Sequence, residues 1–141
     1  MPIGPLPDRL RPLSPDGERR AALLAGVLVG LGARRLFSSP FRRCVQTLEP
    51  LAARIGVPVE TSEDAAQGAG LRVLDLARRA GEGAVLCTHG DVVNRVVGHI
   101  ARHRGLQAVA DADPGAMWRI ELRGEEPVGA TFFPPPALPR R

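Results

Sequence analysis

The 141-residue chain has no lysine and no tyrosine, only two cysteines, and an aromatic content of 4%. Each shortage excludes something. Two cysteines, Cys44 and Cys87, cannot supply a disulfide framework, so an apolar core must hold the fold together. They also lack the spacing of a zinc site, and no metal or other cofactor is expected. So few aromatics leave little from which to build stacking platforms for bases, which argues against a nucleic-acid partner. No apolar run is long enough to span a bilayer, so no membrane partner is expected. Met1-Pro2-Ile3-Gly4-Pro5 has neither the basic region nor the apolar stretch of a signal peptide, and a cytoplasmic location is the expectation. All 19 basic residues are arginine and the net charge is +4. GC-rich codon usage produces such a bias, so the arginine excess carries little functional weight by itself. Anionic small substrates suit it as well as a polymer does.

Apolar residues make up 44% of the chain and charged residues 24%, ordinary values for one globular domain over residues 1–141. Residues 1–13 are proline-rich and irregular. Ser14-Pro15-Asp16 reads as a capped helix start, and Ala21, Leu24, Ala25, Leu28 and Leu31 follow helical spacing up to Gly32. Arg34–Phe37 is a short strand. A second helix runs from Phe41 towards Arg54, with Pro50 placed to kink or divide it, and Gly56 ends it. Val57-Pro58-Val59 suits an edge strand, residues 60–69 a loop, and Leu71, Leu74 and Leu76 a third helix ending near Gly81. Ala84–Cys87 has the composition of a buried parallel strand. A fourth helix follows, with Val92, Val93, Val96, Val97 and Ile100 as its apolar members and Gly105 as its stop. Residues 115–122 and 127–133 form a hairpin around Gly124. Residues 134–141 are a loose proline-rich tail. Strands alternating with helices predict an α/β fold: a largely parallel sheet with helices on both faces and a C-terminal antiparallel hairpin.

Two segments attract attention, Ser38-Ser39-Pro40-Phe41-Arg42-Arg43-Cys44 and Cys87-Thr88-His89-Gly90-Asp91. Each lies just past the carboxyl end of a strand and opens a helix, where α/β proteins gather oxyanions. If the strands are parallel neighbours, Arg43 and His89 project over the same sheet edge. An arginine offers a planar fork of donors for phosphate oxygens, and a histidine a further donor or a proton relay. Gly90 lets the backbone approach a ligand. Each group also has a plainer reading. First-turn arginines are commonly solvated, a histidine at a strand end is commonly structural, and Cys44 and Cys87 suit core filling. His99 and His103 share a helical face but have no acidic partner in sequence. Glu63 and Asp64 fit a solvated loop.

Taken together, Ser38-Ser39-Pro40-x-x-Arg43-Cys44-x-Gln46-Thr47 and Cys87-Thr88-His89-Gly90-Asp91 resemble the second and third motifs of the histidine phosphatase (phosphoglycerate mutase-like) superfamily. Leu10–Gly17 is similar to the segment that opens the first helix in its short members. The likeness is nearest to the small phosphohistidine phosphatase type and to the phosphatase half of certain actinobacterial two-domain Nudix proteins. It implies hydrolysis of a phosphomonoester or phosphohistidine through a phosphohistidine enzyme intermediate, without a metal or other cofactor. The partner would be a phosphorylated small molecule or a phosphohistidine protein. Catalytic roles fall to Arg43 as a phosphate clamp and to His89, with Ser39 and Gly90 completing the phosphate site. Glu60, Glu63 and Asp64 are candidates for a general acid. The resemblance also calls for a first strand ending in Arg-His-Gly or Arg-His-Ala, whose histidine is the nucleophile. The chain has no histidine before His89 and no apolar strand before Leu10. Three expectations follow: a start further upstream, a non-catalytic relative that still binds phosphorylated ligands, or an interaction module. A sheet lacking its first strand also predicts self-association along the open edge.

Overall fold

The computed structural model describes residues 6–104 and 115–139. Helix α1 spans Pro15–Gly30. The Ser14 hydroxyl accepts the Gly17 N–H at 3.0 Å, and Pro15 occupies the first turn, where a missing N–H costs nothing. Strand β1 (Arg35–Ser38) leads into α2 (Arg42–Ile55), and Gly56 closes α2 in the left-handed region at φ 71°. Strand β2 (Val59–Thr61) is followed by a 3-10 turn at Glu63–Ala65, then α3 (Arg72–Ala80) and β3 (Ala84–Cys87). Helix α4 (Gly90–Arg104) and the strands β4 (Met117–Arg123) and β5 (Glu126–Phe133) complete the order.

The main sheet is parallel, in the order β2-β1-β3. Alternate residues of its strands face opposite helical layers. Leu36 and Val85 pack with Ala25 and Leu28 of α1 and Leu48 and Leu51 of α2. Phe37 and Leu86 pack with Val73, Leu74 and Leu76 of α3 and Val92, Val96 and Ile100 of α4. The period-2 strand pattern and the period-3.6 helix pattern therefore meet in one two-faced core, as the alternation of elements predicts.

Four details differ from the sequence reading. Pro50 does not divide α2, which continues through it. An interior proline costs about 3 kcal/mol against alanine, and the buried Leu48 and Leu51 on either side offset that cost. The 60–69 segment is more ordered than a solvated loop, because Ala65, Ala66 and Ala69 are buried beneath α3. The residues of β3 are half-buried rather than buried, since β3 is an edge of this sheet. Finally, the hairpin forms a two-stranded sheet of its own. It reaches the body through side chains: Ile120 and Ala130 on the α3/α4 side, and Met117 on the α1/α2 side. Its register shifts beside Leu122, opposite Pro127, whose ring removes a ladder donor. Gly105 lies outside the described residues. No described helix is long and apolar enough to cross a membrane.

Candidate functional site

The parallel pairing of β1 and β3 sets Ser38 opposite Cys87, and one residue further on the Ser39 N–H bonds the Cys87 carbonyl at 2.9 Å. The segments that follow, Pro40–Arg43 and Thr88–Asp91, therefore leave the sheet side by side. The carbonyl of His89 accepts the N–H groups of Val92 and Val93, both at 3.0 Å. The imidazole thus stands at the mouth of α4, where the first backbone N–H groups have no helical acceptor.

His89 is buried, at 8% exposure, and its Nε2 lies 2.8 Å from the hydroxyl of the fully enclosed Ser39. The same hydroxyl accepts the Phe41 N–H at 3.2 Å. The sequence reading counts Ser39 among the phosphate-binding residues; in the fold its hydroxyl is in hydrogen-bond contact with the imidazole. The Phe41 ring meets His89 edge-on, with centroids 4.5 Å apart, and the Cys44 sulfur lies 3.9 Å from Nε2. Burial lowers the His89 pKa below the ordinary imidazole value, and the Arg43 charge lowers it further. Asp91 and Asp8 act in the opposite direction, and Arg9 adds to the lowering. The imidazole is accordingly neutral at pH 7.

Arg43 and His89 share the Phe41 ring: the Arg43 guanidinium carbon sits 5.1 Å from its centroid. No hydrogen bond joins the two residues. The Arg43 fork is taken by Asp8, with 3.2 Å to Oδ1 and 3.3 Å to Oδ2, and a further 3.1 Å bond to the Asp8 carbonyl. A carboxylate thus occupies the two-pronged donor set that suits a phosphate. Arg9, which the sequence reading passed over, places its guanidinium carbon 5.0 Å from the same ring and pairs with Glu63. The Asp8–Leu10 turn therefore brings one anion and one cation to the site. Its only advance signal was the Asp8-Arg9-Leu10-Arg11 run of charges in a segment read as irregular.

The three acidic candidates separate. Glu60 pairs with Arg35 on the edge strand, Asp64 pairs with Arg79, and Glu63 alone joins the site through Arg9. The intervening loop is fastened to the site at two points. The Thr88 hydroxyl donates to the Ala65 carbonyl at 2.6 Å, and Asp91 accepts the Gly68 N–H at 2.9 Å. Gly90 opens α4 and is helical rather than left-handed. His99 lies on α4, nine residues after Gly90, and the His103 side chain lies outside the described part. Among the described residues no three His, Cys, Asp or Glu side chains group as metal ligands would.

The sequence profile of the histidine phosphatase superfamily (branch 1) matches residues 11–67. An 8-oxo-(d)GTP phosphatase of Mycolicibacterium smegmatis is 32% identical over 138 residues, covering 92% of this chain and 42% of that protein. The 55 kDa subunit of transcription factor tau from Saccharomyces cerevisiae is 37% identical over 67 residues, covering 42% of this chain and 15% of that one. The fold is similar to that of the protein histidine phosphatase SixA complexed with tungstate, with a TM-score of 0.67 and 20% identity over 94% of this chain and 87% of that one. The chain belongs to the histidine phosphatase superfamily. It spans less than half the length of either of these curated relatives. The profile match takes in the Ser38–Thr47 segment with Ser39 and Arg43, and the mycobacterial likeness extends across most of the chain.

Proposed function

We propose that this domain binds a phosphoryl group between Arg43, His89 and the mouth of α4, and that its chemistry is phosphoryl-group hydrolysis. The substrate would be a phosphorylated small molecule, nucleotides included, or a phosphohistidine protein, met in the cytoplasm as one domain over residues 1–141. The observation that carries the reading is the carboxylate of Asp8 held by both prongs of Arg43. A carboxylate and a phosphate present the same paired oxygens, so the fork is already set for an oxyanion, and a ligand enters by displacing Asp8. With the Ser39 O–H donating to Nε2, the neutral imidazole of His89 keeps its proton on Nδ1 as a donor to that anion. Gly90 leaves the helix mouth open to the ligand, and Arg9 adds positive potential.

Covalent phosphoryl transfer needs an activated nucleophile. Arg43 and His89 bind and stabilise charge but do not provide one, so the 141 residues alone should hold phosphate and turn over an aryl phosphate slowly. Calorimetric titration with inorganic phosphate tests the binding. Arg43→Ala and His89→Ala should each weaken it at least tenfold. Equal affinity in wild type and both variants would overturn the reading. A second reading, an interaction module, draws support from β3, which has a strand partner on one side only among the described residues. Self-association of the chain that leaves phosphate affinity at zero would favour it.

A further inference from the structure

The Phe41 ring carries two guanidiniums. The Arg43 carbon lies 5.1 Å from the ring centroid and the Arg9 carbon 5.0 Å, so the two cations stand no further apart than those distances laid end to end. Each grips a carboxylate by both prongs. Arg43 holds Asp8 at 3.2 and 3.3 Å, and Arg9 holds Glu63 at 3.4 and 3.3 Å. Arg11 also reaches the Asp8 carboxylate, at 3.6 Å. Within this group three arginines share two carboxylates, which leaves one positive charge over. The phosphate-binding reading uses one fork only, and Arg9 enters it as background potential. Yet Arg9 repeats the geometry of Arg43 on the same ring.

We propose that Arg9 is a second anion subsite beside the Arg43–His89 pocket, and that the ligand is a small molecule with two phosphates joined in series, a diphosphate or its ester. This deepens the phosphate-binding reading and rests on it. Each guanidinium fork matches a pair of phosphate oxygens, and the carboxylates of Asp8 and Glu63 mark where the two pairs lie. A lone phosphate satisfies one fork and leaves the other on its carboxylate. Exposure sets the order of the two phosphates. The Arg43 side chain is 31% exposed and that of Arg9 53%. The Arg43 charge also bears more strongly on the buried His89 than the Arg9 charge does. The terminal phosphate therefore enters at Arg43 and His89, the second meets Arg9 at the rim, and any group esterified to it extends into solvent. Both carboxylates can yield, because exposed ion pairs hold weakly. When the Asp8 carboxylate turns away, its carbonyl still accepts from Arg43 at 3.1 Å, so the turn that carries Arg9 stays beside the ring. Glu63 opens a 3-10 turn whose Ala65 carbonyl is tied to Thr88, so its side chain can swing out without moving the loop.

The experiment titrates the full chain with inorganic pyrophosphate and, separately, with inorganic phosphate at one ionic strength, and reads the ratio of the two affinities. Pyrophosphate should bind at least tenfold more tightly. Arg9→Ala should bring the ratio below threefold while weakening phosphate itself by less than threefold. Glu63→Gln, which frees the Arg9 fork, should strengthen pyrophosphate more than phosphate. Arg79→Ala removes an exposed arginine paired with Asp64 in the same 3-10 turn, at 3.3 Å, and should leave the ratio where it was. That control separates a fork from mere positive charge. Equal affinity for the two ions, a preference that survives Arg9→Ala, or one that falls as far in Arg79→Ala overturns the proposal. Phosphate binding that depends on Arg43 but shows no preference for pyrophosphate removes the second subsite alone. Binding of neither ion removes the phosphate-binding reading with it.

Discussion

Ser39 and His89, fifty positions apart in the chain, meet through a 2.8 Å contact between hydroxyl and imidazole in a nearly dry setting. The pair exists because β1 and β3 are parallel neighbours in register, so that both chains leave the sheet at one level. One serine thereby holds the ring that the proposed anion site uses. Ser39→Ala removes the partner of a buried Nε2, a loss that costs about 1–3 kcal/mol when the group stays unsatisfied. Chemical denaturation should show a fall in that range, and phosphate affinity should drop with it. Ser39→Thr, which keeps the hydroxyl, should retain more affinity than the alanine variant.

On the proposed function, Asp8 competes with the phosphate ligand for the Arg43 fork it holds. Asp8→Asn removes the charge but keeps the size, so the fork is freed at little structural cost. Its pairs with Arg43 and Arg11 are largely exposed, and such pairs contribute about 0–1 kcal/mol to stability. Phosphate should bind this variant several-fold more tightly, with a nearly unchanged melting temperature. Weaker binding would show that Asp8 orients Arg43 rather than blocking it.

The depressed pKa of His89 has a definite consequence for pH. In the unfolded chain the imidazole takes up its proton near its ordinary value of about 6.5, whereas the folded protein resists it to lower pH. Between those two values the unfolded state binds more protons, so stability rises with pH there. The contribution is present in full above the unfolded value and is lost as pH falls towards the folded one. Denaturant midpoints measured from pH 7.5 down to 5 should decline more steeply in the wild type than in His89→Gln.

Gly83 precedes β3 at φ 80°, and a β-carbon there would stand 2.9 Å from the Gly32 carbonyl oxygen. Its own carbonyl accepts the N–H groups of Arg34 and Arg35, which set the start of β1 beside β3. Gly83→Ala should destabilise by about 1–3 kcal/mol through backbone strain. Because β1 and β3 carry the site, phosphate affinity should fall too. A thermal shift within error of zero would show that the turn relaxes without disturbing the sheet.

Much of this was legible in the sequence, for identifiable reasons. The Ser14-Pro15 cap, the apolar spacing of α1, the Ala84–Cys87 run and the glycine at 56 are local signals, and each element formed where its signal lay. The proximity of the Arg43 and His89 segments followed from one assumption, that two strands with helices after them are parallel neighbours. Other features depend on contacts between distant parts of the chain. Nothing in the Asp8–Arg11 run announces that Asp8 would close on Arg43 or that Arg9 would lie over Phe41. The buried role of Ser39 was equally hidden, because a serine after a strand reads as well for a ligand as for a partner to a histidine. Half-burial of β3 and separation of the hairpin are matters of which strand has a neighbour, and composition cannot tell an edge from a centre.

The most direct test of a common anion site is the His89 imidazole itself, followed by proton NMR across a pH titration with and without inorganic phosphate. The account predicts that phosphate raises the His89 pKa, that Arg43→Ala abolishes most of that shift, and that the His99 signal moves little. A His89 titration indifferent to phosphate, or a shift that survives the loss of Arg43, would contradict it.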